Sequence, residues 1–408
     1  MTPVDRFDMV VSVARLGLES SGEGVETLER YVARAAAALG IEVRFVVLAE
    51  QVVVTEVAGG ITQRLAIVRA NPGIFRLDQL AALDRVLDDL EGGLEPEVAS
   101  ERLDAIERSK PRWPPWARVI GVACFAAGFA PSVVASWNEV AAAAILGLLM
   151  GVLLVATAGT RVEPLLPFVG AFVVTLLGLT VLSGLATETG VALLVIPALF
   201  ITVPGDTLSA AAAELLAGSL STGAVRLLYG LFVLSLIVIG IVAAAGVTGH
   251  MDALKETLPP PELSVGVVLA GWVVFCVGLV LAFNAQPSVT VWLVPTVIAT
   301  YLLQQGATRV GGSIVGTLVA GAALGAFASV VAQQANRPPR LVLLLGGFFV
   351  LTVGGVGVRG VTALIGGDVV SGLSNLIEFG VQMPTVALAL AVGVVLASRL
   401  RPSHLGAG

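Results

Sequence analysis

The sequence predicts an α-helical polytopic membrane protein of about ten transmembrane helices, arranged as two five-helix inverted repeats behind a small N-terminal α+β soluble domain. Three observations carry this prediction. Of the 408 residues, 56% are hydrophobic and only 13% are charged, with a mean hydropathy of +0.95; soluble proteins carry roughly 25% charged residues. The charge is uneven, because residues 1–110 hold 31 of the 52 charged side chains. The apolar body that follows resembles itself at an offset of 150 residues.

The head comes first. The segment 24–39 places Val25, Leu28, Val32 and Leu39 on one helical face and stops at Gly40. Residues 41–48 and 51–57 alternate and are β-branched, and Gly59-Gly60 turns the chain into a third strand over 61–68. Helical spacing returns over 77–90 and 96–106, the latter opening with Pro96 at a permitted first-turn position. The expected order is therefore helix, three strands, two helices. Residues 1–10 contain Asp5, Arg6 and Asp8 and no apolar core of a signal peptide, so the head is expected in the cytoplasm. It is acidic, which reads as a solvated surface, and it holds no histidine, no phosphate loop and no metal cluster.

In the body, apolar runs between polar or Gly/Pro breaks place spans near 117–136, 138–158, 164–185, 189–204, 224–247, 264–283, 288–304, 310–332, 340–358 and 381–398. Arg108, Lys110, Arg112 and Arg118, with Trp113 and Trp116, mark a cytoplasmic interface before the first span. With the N-terminus inside, Arg161, Arg337, Arg340, Arg399 and Arg401 also fall inside, and Lys255, Arg309 and Arg359 outside. Both termini are then cytoplasmic. The chain divides into a head (1–112) and two membrane repeats (113–250 and 251–408). Cys124 and Cys276 lie inside spans and read as core residues.

Two clusters carry the repeat. Gly121, Phe125 and Gly128 match Gly271, Phe275 and Gly278, and Ile201-Thr202-Val203-Pro204-Gly205 matches Leu351-Thr352-Val353-Gly354-Gly355. An odd number of spans per half inverts the second half relative to the first, the architecture of alternating access around a midplane site built from interrupted helices. Pro204-Gly205 and Gly354-Gly355 are the interruptions. Each precedes a small-residue helical stretch, 207–219 and 360–376, whose N-terminal N–H groups attract a carboxylate.

Intramembrane acids are costly and functional when they face a cavity. Asp206 and Glu214 are the first candidates for carrying a proton or meeting a substrate ammonium, with Thr207 beside them; an N-cap at the aqueous edge is the structural reading of Asp206. Arg226, Arg359, Asp368 and Glu378 are candidates whose interfacial reading leads. Asn138, Asn284, Gln286, Gln304 and Gln305 read as interfacial. Neither Lys110 nor Lys255 sits in a Gly-Lys-Ser/Thr loop, so transport would run on a gradient or on a partner's ATPase. Ile365-Gly366-Gly367-Asp368 has the wrong first residue for an aspartyl intramembrane protease, and no zinc motif is present, so no enzyme activity, cofactor or metal is expected.

The layout resembles the threonine/serine exporter family. The resemblance rests on Ser21-Gly22 with Val25-Glu26, the helix ending Ala38-Leu39-Gly40, and the helix over 77–90. It continues through Leu94, Ala99, Leu103 and Ile106, the entry Arg112-Trp113-Pro114-Pro115-Trp116, and the Val203-Pro204-Gly205 break. It implies export of threonine and serine across the cytoplasmic membrane, driven by protons; a related two-component branch implies small dicarboxylates instead. The expected partners are a small-molecule substrate, protons and the lipid bilayer, with no nucleic acid and with self-association left open. A non-transporting membrane scaffold is the competing class.

Overall fold

The computed structural model describes residues 5–20, 24–69, 76–185, 190–254, 263–332, 337–351 and 353–399. The head opens with a helix that the periodicity did not reveal, α1 (Arg6–Ser20), so its order is two helices, three strands, two helices. Val10, Val11 and Val13 give α1 a weak intrinsic helical preference, and it is burial of Phe7, Val10, Val13 and Leu16 against the rest of the head that holds it. Next come α2 (Val25–Leu39), β1 (Val43–Val47), β2 (Gln51–Ala58), β3 (Ile61–Arg69), α3 (Leu77–Glu91) and α4 (Pro96–Glu107). The strands form an antiparallel sheet in the order β1-β2-β3. Gly59 and Gly60 both have positive φ, as a two-residue hairpin turn demands. The sheet buries Val52, Val54 and Val68 against the helices, while Leu80, Leu83 and Leu87 supply the α3 side of the core.

The body comprises α5 (Pro115–Phe129), α6 (Trp137–Thr157), α7 (Leu166–Thr180), α8 (Val191–Leu199), α9 (Gly205–Leu216), α10 (Leu220–Thr248), α11 (Val265–Ala282), α12 (Thr290–Ala332), α13 (Arg340–Leu351), α14 (Val353–Ile365) and α15 (Val369–Arg399). Among the described residues, seven helical stretches are long and apolar enough to cross a membrane, and the α8–α9 pair, bent by 63°, makes an eighth. α12 is interrupted at Gly312, whose φ of 83° is not helical. A β-carbon on Gly316 would meet the Gln304 carbonyl at 2.8 Å. Twelve residues of straight helix would separate those positions by about 18 Å, so the chain reverses there. Lys255 and Arg401 lie outside the described residues.

Several boundaries differ from the sequence expectation. The run 360–376 is not one half-helix: it is divided by a turn at Gly367 (φ 94°) between α14 and α15, and α15 starts twelve residues before the expected span. α14 begins at Val353, so Gly354 and Gly355 lie within its first turn and the break falls before them; Thr352 is outside the described residues. Asn284 lies just beyond the end of α11 and is 2% exposed, covered by Trp113. Its positive φ of 57° and side-chain acceptor suit the tight end of α11, a role that Asn fills more readily than most residues.

At the centre of the body α5 crosses α11, with α6 packed on α5 and α10 on α7. α15 packs on α12 and α14. The crossing is made by glycines: a β-carbon on Gly278 would stand 2.7 Å from the Gly121 carbonyl oxygen, and one on Gly128 would stand 2.6 Å from that of Gly271. Small residues allow such backbone approach where lipid gives no hydrophobic drive for helix association. The rings of Phe125 and Phe275 meet there at 4.6 Å, and Phe129, Phe200, Trp272 and Phe349 complete an aromatic cluster.

Candidate functional site

The first interruption is built as the sequence demanded. α8 carries Pro197 and tightens into a 3₁₀ turn over Phe200–Thr202; Val203 is extended and Pro204 stands at the N-cap of α9. Proline has no N–H to lose at that place. Gly205 opens α9 against the Phe348 ring on α13, where a β-carbon would lie 2.7 Å from Cε1. The two interrupted segments therefore touch, and their contact is apolar.

Asp206 is the second residue of α9, not its N-cap, and it is half-buried. Its carboxylate lies near the backbone N–H groups of Asp206 and Thr207, and Arg226 and Tyr229 on α10 lie within electrostatic range. Thr207 is half-buried beside it.

Glu214 lies elsewhere. It is 6% exposed, near the far end of α9, and its Oε1 accepts the backbone N–H of Val25 in the head at 3.1 Å. Nε of Arg226 is 3.1 Å from the same oxygen, an ion pair by distance although the N–H is not aimed at it. Oε2 is buried with no hydrogen-bond partner among the described residues. The structure thus brings Glu214 and Arg226 together, with Asp206 in range of the same arginine. It does not add Asp368, which caps α15 by accepting the Ser371 N–H at 3.1 Å. Arg359 is half-buried on α14, and Glu378 accepts from Gln382 at 2.7 Å within α15.

Sequence reasoning missed three functional or structural groups. Glu139 is fully buried but satisfied, since it forms a capping box with Ser136 at the start of α6; Ser136-x-x-Glu139 before an apolar run is the readable signal. Val25 and Gly24, the partners of Glu214, carry no signal. The third group lies between head and body: a cavity of about 210 Å³ lined by Asp84, Arg85 and Asp88 of α3 and by Trp292 and Arg337 of the body. The Arg337 guanidinium lies 4.5 Å over the Trp292 ring.

Sequence comparison relates the chain to known proteins. The sequence profile of the family described as "Putative threonine/serine exporter" matches residues 8–248, more than half of the chain. A "Probable threonine/serine exporter" of Mycobacterium tuberculosis is 28% identical over 359 residues, 81% of this chain and 64% of the relative. The chain thus spans less than two thirds of the length of that relative. No solved structure matches.

Proposed function

The chain belongs to the threonine/serine exporter family, a multi-pass membrane transporter family, and on that premise we propose that it exports threonine, serine or amino acids of similar size across the cytoplasmic membrane, by proton-coupled alternating access. The observation that carries the mechanism is the α5–α11 crossing. Gly121 meets Gly278 and Gly128 meets Gly271, while Phe125 meets Phe275. At the offset of 150 residues each of these pairs maps onto another or onto itself, as a two-fold axis in the membrane plane requires. The same offset carries α6 and α7 onto the two arms of α12, α8 onto α13, α9 onto α14 and α10 onto α15. The packing follows: α9 lies against α15, and α14 against α10, so each half lends its short helix to the other.

Ten spans result when α12 is counted as two arms and the 15-residue α5 is included. Phe283, Arg337 and Glu214 meet or line the head, and Asn284 and Ala285 meet Trp113 where the chain leaves it. Gly366 meets Leu254 at the other side, with a β-carbon 3.0 Å away. Ten crossings in all put both termini on one side, and the basic cluster Arg108, Lys110, Arg112 and Arg118 supports that side as cytoplasmic, with a head (1–112) and repeats over 113–250 and 251–408. In this reading Asp206, with Pro204, Gly205 and Thr207, forms the first half's share of the pathway, and Gly354, Gly355 and Arg359 the second half's. Asp206 is the proton carrier and Arg226 the charge that answers it.

Counterflow in proteoliposomes tests the proposal, using labelled amino acids and dicarboxylates and an imposed pH gradient. Threonine and serine exchange that responds to the gradient is expected. Exchange of dicarboxylates alone, or none by folded protein, would overturn it.

A further inference from the structure

The head is hydrogen-bonded to both membrane halves, and it uses the starts of two of its own helices to do so. At one side, Glu214 of α9 caps α2 from 189 residues away: Gly24 at the N-cap offers no side chain, and the Val25 N–H donates to Glu214 Oε1 at 3.1 Å. Position 24 admits glycine for two reasons. Its φ is +92°, and a β-carbon would stand 3.0 Å from that oxygen. At the other side the Leu77 N–H, first in α3, donates to the Phe283 carbonyl beyond the end of α11 at 3.2 Å. Trp113 reinforces this contact, its backbone N–H donating to Asn284 Oδ1 at 3.4 Å and its indole N–H to the Ala285 carbonyl at 3.1 Å.

The two attachments differ in kind. The second uses backbone carbonyls at the end of a long helix and a buried asparagine. The first depends on one carboxylate on α9, a short helix that follows a 63° bend and packs on both α10 and α15. A rigid head bound at both places fixes the separation of α9 from the end of α11.

We propose that the head is a clamp across the two membrane halves, and that the Glu214–α2 contact is the joint that opens when the halves rock. The clamp rests on the alternating-access reading above. It makes the head a brake on transport rather than part of the pathway, and it assigns Glu214 to the brake.

A disulfide lock tests it, because a β-carbon on Gly24 would lie 4.0 Å from that of Ala210 on α9, within the range that a disulfide spans. The full chain carrying Gly24→Cys and Ala210→Cys, with Cys124 and Cys276 replaced by Ala, is oxidised in proteoliposomes. Efflux is expected to fall by about tenfold or more and to return on reduction. Unchanged efflux from fully cross-linked protein, or failure of the pair to cross-link, overturns the clamp. Gly24→Ala alone, which strains the joint, should speed hydrogen exchange in the first turn of α2 and leave efflux at least as fast as in the parent; slower efflux from folded protein counts against a brake. If the parent protein is folded but transports nothing, the export reading fails by itself. The clamp is then decided by hydrogen exchange over α9 and α14, which locking must slow; equal exchange in both states sinks it.

Discussion

Gly128 and Gly271 face each other so closely that a β-carbon on either would stand 2.6 Å from the other's carbonyl oxygen. The reciprocity places the crossing of α5 and α11 on a local two-fold, and it leaves no room for any side chain at either position.

Gly128→Leu should therefore destabilise the body by more than the roughly 1–3 kcal/mol of ordinary overpacking, because backbone and not a flexible side chain is in the way. Gly246→Ala on α10, where nothing lies within 4 Å, should be neutral or slightly stabilising. Thermal unfolding of the detergent-solubilised chain measures both, and equal melting temperatures for the two variants would remove the crossing from the stability argument.

Asp206→Asn should abolish pH-gradient-driven threonine efflux, by about tenfold or more, while the protein remains folded. The carboxylate sits in the first turn of α9 within range of Arg226, and an amide cannot carry the proton. Efflux that keeps its response to the gradient would take Asp206 out of the mechanism.

Single cysteines in a background lacking Cys124 and Cys276 test the ten spans. Ser109→Cys should react with a membrane-impermeant reagent only from inside, and His250→Cys only from outside. Val310 is 90% exposed beside the Gly312 turn; Val310→Cys should label with position 250, since the first arm of α12 ends on that side. Labelling together with Ser109→Cys would refute the two-arm reading.

The Asp5–Arg64 pair should give the head an acid-sensitive joint. Arg64 donates to both Asp5 oxygens and, at 2.8 Å, to Glu56, and it holds the Asp5 carboxyl down at about 2. An unfolded aspartate titrates near ~3.9, so the folded chain binds fewer protons between those values. The contribution is complete above about pH 5 and lost as pH falls towards about 2. Both side chains are well exposed, so the effect is small. Hydrogen exchange of α1 in the parent and in Asp5→Asn should differ near pH 5 and converge near pH 2; a difference that persists in acid contradicts the assignment.

Much of this was legible from residue order alone. The hairpin at Gly59-Gly60 and the α2 stop at Gly40 were readable because those turns need positive φ, which glycine supplies. The Pro204-Gly205 break was readable because Pro204 has no backbone N–H to continue the helix and Gly205 beside it weakens helical preference. α1 was hidden because its valines weaken the helical signal, and the α12 turn was bracketed by two expected spans without being located at Gly312.

The sequence by itself determined that this is a membrane protein with a polar head and an interrupted helix at Pro204-Gly205, because hydropathy, charge distribution and backbone-restricting residues act locally. Only the tertiary structure decided what the acids do. Glu214 and Asp206 stand eight residues apart on one helix, yet one meets the α2 backbone N–H and the other the N-terminus of its own α9. That division follows from which groups the fold brings within hydrogen-bond reach across 189 residues, a distance over which no local preference acts.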